Sequence, residues 1–171
     1  MRGLGTIIML GLLLLNSLVH GSPASPPPTA EDLTEIQAVV NQFFSIWSQH
    51  DCQNWTSAFT ANGTFFHPNY PEGVYGQQAL LDFCTTNLAK SPESTFRQDG
   101  PIMLTPSGGF YICLAPYVYA STNPDFTVFI NSGWEALTLQ PVPGSPQFQI
   151  FSATEFFSRN IMPDPLFTNP T

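Results

Sequence analysis

Apolar positions along the chain change their period once, near Thr95. Before it they recur every three or four residues, as on the buried stripe of a helix. After it they alternate, as on the inner face of a strand. Leu33, Ile36, Val40, Phe43, Phe44 and Trp47 predict a long first helix that ends at His50-Asp51. Thr29 is its expected N-cap, and Glu31 and Asp32 in the first turn suit the positive end of the helix dipole. A shorter helix is expected over residues 52–60 with Trp55 and Phe59 inward. A third is expected over residues 77–90, with Leu80, Phe83, Cys84 and Leu88 on one side and Gln78, Asp82 and Thr86 on the other. Between these two, Asn62-Gly63 reads as a turn, Thr64-Phe65-Phe66 as a short strand and residues 68–76 as a loop.

Beyond Thr95 the alternation predicts four long strands, over residues 95–105, 110–120, 126–140 and 147–158. Turns at Pro106-Ser107-Gly108-Gly109, Thr122-Asn123-Pro124-Asp125 and residues 141–146 separate them. Pro101 and Pro116 fall inside strands and offer the ladder no donor, so bulges or edge positions are expected there. The element order predicts an α+β domain: three N-terminal helices packed on a strongly curved antiparallel sheet, a cone-shaped half-barrel.

The two ends read differently. Arg2, the apolar run over residues 7–15 and the small residues near Gly21 make residues 1–21 a secretory signal peptide. The run is shorter than the roughly 20 residues of a spanning helix. Residues 22–30 read as a Pro/Ser-rich linker, 31–160 as the folded domain and 161–171 as a flexible tail.

Charge narrows the partners. Twelve acidic against four basic residues give −8, which opposes binding to nucleic acid or an anionic membrane surface. A secreted chain meets oxidising conditions, so Cys52, Cys84 and Cys113 are expected to form one bridge and leave one thiol. Cys52–Cys84 is the favoured pair and Cys84–Cys113 the alternative; the third cysteine is then buried or bridges to a second chain. Asn54-Trp55-Thr56 and Asn62-Gly63-Thr64 are glycosylation sequons, whereas Asn169-Pro170-Thr171 is excluded by its proline. The cysteines and histidines lack metal-ligand spacing, and Gly108-Gly109 is a hairpin turn rather than a phosphate loop. No metal and no cofactor is expected.

Several segments resemble one family as a set. They are Trp47-Ser48-Gln49-His50-Asp51, then Trp55 and Phe59, then Asn62-Gly63-Thr64-Phe65-Phe66-His67-Pro68, then Tyr75-Gly76-Gln77-Gln78-Ala79-Leu80, and finally Glu155-Phe156-Phe157. Over residues 31–158 the chain resembles the nuclear transport factor 2-like superfamily, in its SnoaL-like branch. That resemblance implies a conical cavity between helices and sheet. The superfamily holds ketosteroid isomerases, dehydratases, epoxide hydrolases, polyketide cyclases and non-catalytic members, so the fold does not assign an activity. In the isomerase pattern His67 stands where a general-base Asp precedes the strand-ending Pro. Phe43 stands where helix one carries the oxyanion-hole Tyr, and Glu135 is the best match to the late-strand Asp. That mechanism needs a base and polarising donors, so Phe43 argues against isomerase activity of this kind.

His67, with an ordinary pKa of roughly 6.5, is the candidate catalytic base, and Glu135 on an otherwise apolar strand is its candidate partner. In the other reading His67 caps a strand end at the surface and Glu135 meets solvent or a second copy. Phe43, Trp47, Phe59, Phe66, Tyr75, Phe83 and Trp134 are the expected ligand-lining residues, with Tyr70, Tyr111 and Tyr117 as further polar contacts or core. Three functions fit: a secreted binder of a small apolar ligand; a lyase or isomerase acting on a hydrophobic carbonyl compound; or a non-catalytic module that forms a homodimer.

Overall fold

The computed structural model describes residues 27–122, 128–145 and 147–158. The expected signal peptide, most of the linker, the tail after Ile161 and the turn around Pro124 lie outside the described residues. Three helices, α1 (Ala30–Ser48), α2 (Cys52–Ser57) and α3 (Gln77–Lys90), lie over a seven-stranded sheet. Its strands are β1 (Phe59–His67), β2 (Tyr70–Tyr75), β3 (Thr95–Gln98), β4 (Met103–Ser107), β5 (Phe110–Thr122), β6 (Val128–Pro141) and β7 (Phe148–Ser158). The order across the sheet is β2-β1-β7-β6-β5-β3, with β4 beside β3 on the same flank of β5. The sheet stays open, with β2 at one edge and β3 and β4 at the other.

Local chemistry explains the helix layer. Thr29 and Asp32 form a reciprocal capping box: Thr29 Oγ1 accepts from the Asp32 N–H at 3.1 Å, and Asp32 Oδ2 accepts from the Thr29 N–H at 2.8 Å. Ile36, Val40, Phe43, Phe44, Ile46 and Trp47 are buried along α1, while Leu33 at its start is 44% exposed. Ser48 Oγ donates to the Phe96 carbonyl and accepts from its N–H, both at 2.7 Å, which fixes the end of α1 against β3. The four apolar residues expected on α3 are all buried. Phe43 sits at the centre of the core, with ring contacts to Phe44, Trp55, Phe59 and Phe96. Full burial of a side chain this size contributes roughly 1.5–3 kcal/mol.

The Cys52–Cys84 disulfide joins α2 to α3. Cys113 is free and buried on β5, and burial pushes its thiol up to about 12, so neither the Cys84–Cys113 bridge nor an exposed third thiol exists. No described helix is long and apolar enough to cross a membrane.

The strands correct five expectations. Asn62-Gly63 is not a chain reversal but lies within β1. The registers Phe59↔Ile150 and Thr64↔Ser152 leave residues 60–63 bulged, and a Cβ on Gly63 would come within 2.7 Å of Phe59 Cβ. The glycine therefore serves close packing in a bulge. Residues 68–76 hold strand β2 rather than a loop; as an edge strand it tolerates Pro71. The second helix stops at Ser57, and Phe59 begins β1. Residues 95–105 are two strands, broken around Pro101. Opposite that break Pro116 sits inside β5 and its carbonyl accepts from the Asp99 N–H at 2.8 Å, so its missing donor also faces the break. One pairing is parallel, β1 with β7, where a wholly antiparallel sheet was expected.

Candidate functional site

The β1–β7 pairing carries the site. It sets the end of β1 against the end of β7, and the register Phe66↔Thr154 puts His67 next to Glu155 on the face that looks toward the helices. On β6, Glu135 lies directly opposite Glu155, and Ala115 of β5 lies on its other side. Tyr117, two residues further along β5, reaches back across the sheet and donates its hydroxyl to Glu155 Oε1 at 2.6 Å. Four polar residues from four strands thus form one row, with Glu135 and Tyr117 buried and His67 and Glu155 half-buried.

Proton positions follow from the contacts. The Asn69 N–H donates to His67 Nδ1 at 3.0 Å, so the neutral ring carries its proton on Nε2. Nε2 lies 3.4 Å from Glu155 Oε2. Burial lowers the His67 pKa to about 4, so at neutral pH this contact is an imidazole N–H facing a carboxyl rather than an ion pair. Burial also raises Glu155, although the Tyr117 hydrogen bond pulls the other way. Glu135 is raised well above the ordinary carboxyl value, by complete burial first and by the Glu155 charge second. Neither of its oxygens has a hydrogen-bond partner. An ionised carboxylate without donors is strongly disfavoured in such surroundings, so Glu135 holds its proton. Tyr117 is raised by burial and by both carboxyls, and remains a donor.

A cavity of about 270 Å³ opens between this row and the helices. Phe43, Trp47, Trp55, Phe65, Phe83 and Phe96 wall it, His67, Tyr119, Ser121, Asn131 and Glu155 bring polar groups from the sheet, and Asn69, Asn87, Lys90 and Ser91 stand along the opposite margin. It exceeds the roughly 150 Å³ that admits benzene and falls just below the range of drug-sized pockets.

Of the residues expected to line a ligand, Phe43, Trp47 and Phe83 line this cavity. Phe59 is fully buried in the core. Phe66 packs edge-on against Tyr75, which is 60% exposed, and neither reaches the cavity. Trp134 pairs with Phe156 across β6 and β7 on the outer face, 43% exposed. His67 and Glu135 share the inner face, but Glu155 stands between them. The Glu155–Tyr117 contact is the part the sequence reading missed; an acid alternating with apolar residues on β7 was its one signal. Among the described residues no group of acids, histidines and cysteines could hold a metal ion.

This fold is the nuclear transport factor 2-like cone. A nuclear transport factor 2-like superfamily protein from Salmonella enterica serovar Typhimurium superposes with a TM-score of 0.66 at 15% identity, covering 84% of this chain and all of that one. A protein proposed to be a scytalone dehydratase, from Novosphingobium aromaticivorans, gives 0.64 at 11% identity over 81% of this chain and 95% of its own. One proposed to be an aromatic ring hydroxylase, from the same organism, gives 0.68 at 13% over 78% and 96%. No protein-family model and no curated protein matches the sequence.

Proposed function

We propose that the chain is a secreted protein that binds a small, mostly apolar ligand in the cone. The observation that carries this reading is the cavity itself: aromatic walls enclose open space where side chains of the core would otherwise interlock. The polar wall of His67 and Glu155 offers one N–H and one carboxyl to a ligand carbonyl or hydroxyl. Calorimetric titration with a neutral bicyclic alcohol, naphthalenemethanol, is expected to give saturable one-site binding with a negative heat-capacity change. Asn87→Trp, which fills the cavity from α3, is expected to abolish it. Binding that survives this substitution would place the ligand elsewhere and sink the reading.

A second reading, a lyase or isomerase working by proton transfer, is favoured by the contact between Glu155 and Tyr117. In it the base is Glu155 rather than His67, because the Asn69 N–H occupies the His67 lone pair. A carboxyl that burial raises above its ordinary value suits that task. His67 would act as the donor that polarises a carbonyl.

Two accessory features belong to the same proposal. Asn54 and Asn62 are both exposed, which supports glycosylation at the two sequons. A glycosidase that removes N-glycans should lower the mass of protein secreted from eukaryotic cells; an unchanged mass counts against it. Trp134, Phe151 and Phe156 are exposed on β6 and β7, which supports a homodimer through the sheet.

A further inference from the structure

The margin of the cavity departs from the chain's overall charge. With twelve acids against four basic residues, most of the surface is expected to be negative. Yet the exposed residues along the cavity are Asn69 and Lys90, with Asn87 and Ser91 half-buried beside them. Glu155 is the one acid in the lining, only 12% exposed, and its oxygens face Tyr117 and His67. Two basic residues fall within the described part of the chain, Lys90 and Arg97. Arg97 is engaged by Asp99 at 3.3 Å. Lys90 has no carboxylate within ion-pair distance among the described residues. It ends α3, where the negative end of the helix dipole favours a cation and keeps it at the cavity's mouth.

Such a cavity sorts a ligand by its two ends. Aromatic walls reject charge, because burying an ion without partners is costly. The mouth offers one ammonium group in water-accessible surroundings. Resting on the reading of the cone as a ligand site, we propose that the ligand is a small amphiphilic anion. Its ring-bearing body lies among Phe43, Trp55 and Phe83, and its carboxylate or phosphate lies at Lys90. Lys90 is thereby a specificity-determining residue: it contributes little to holding the apolar body and selects the anionic member of an otherwise equal pair.

The test is a calorimetric comparison of naphthoate, naphthyl phosphate and the neutral naphthalenemethanol, on the native protein and on Lys90→Gln. Lys90 is exposed, so this substitution leaves the core untouched. An exposed ion pair supports a preference of about three- to fivefold for an anionic probe over the neutral one. Added salt should shrink that preference, and Lys90→Gln should remove it while leaving naphthalenemethanol unaffected. Whichever anion binds tighter identifies the head group. Equal binding of anionic and neutral probes, or a preference that survives Lys90→Gln, overturns the proposal and leaves the cavity reading standing. If none of the three probes binds, the cavity reading falls and the proposal falls with it.

Discussion

Two residues of the polar row oppose each other in pH. Glu135 binds its proton more tightly folded than unfolded, so its contribution is complete below the ordinary carboxyl value of 4.5 and is lost as pH rises through its raised folded value. His67 does the reverse: its folded value near 4 lies below its ordinary 6.5, so stability is lost as pH falls between those limits. Glu135→Gln is therefore expected to raise the melting temperature at neutral pH and to leave it unchanged near pH 4.5. His67→Gln should flatten the acid side. Thermal melts across this range check both, and parallel profiles for variant and native protein would remove the assignment of a protonated Glu135. Why the sequence revealed half of this row is a matter of register. Gln140↔Gln149 and Leu139↔Ile150 count back to put Thr154 opposite Glu135, but the ladder slips at Phe151 and brings Glu155 there instead. One extra residue turns every later side chain to the other face, and nothing in the local sequence marks Phe151 as the place.

Among the elements, α1, α3 and the 64–66 part of β1 were legible, whereas the start of β1 and all of β2 were not. Capping at Thr29 and the 3.6-residue stripes of α1 and α3 act within a few residues of each other, so a single chain displays them. β1 and β2 depend on partners distant in sequence, and their Asn-Gly, Pro and Gly residues carry the ordinary chemistry of loops. The disulfide has an effect at this scale. It spans a separation of 32 residues, and a closed loop of that size stabilises by about 3–4 kcal/mol in the chain-entropy model. Urea unfolding of Cys52→Ser/Cys84→Ser against the native protein should show a loss of this order. A negligible loss would mean that helix packing alone holds α2 to α3.

At the scale of the whole molecule, the helices cover the inner face of the sheet, and among the described residues nothing covers the outer face. Trp134↔Phe156 forms an exposed aromatic pair there. If this face joins two copies, sedimentation should give a dimer that Trp134→Arg converts to monomer. A native chain that remains monomeric at high concentration would remove the dimer from the proposal. The parallel β1–β7 pairing bears on how the molecule is made. A ribosome delivers β1 early and β7 after all the other described strands, so the wall bearing Glu155 is absent while those strands are made. Cys52 and Cys84 both emerge before it, so the bridge between α2 and α3 does not need that wall in order to close. A chain interrupted ahead of β7 would leave Trp47 and Trp55 of the helices and Phe65 of β1 turned toward water, apolar surface of the kind that aggregates.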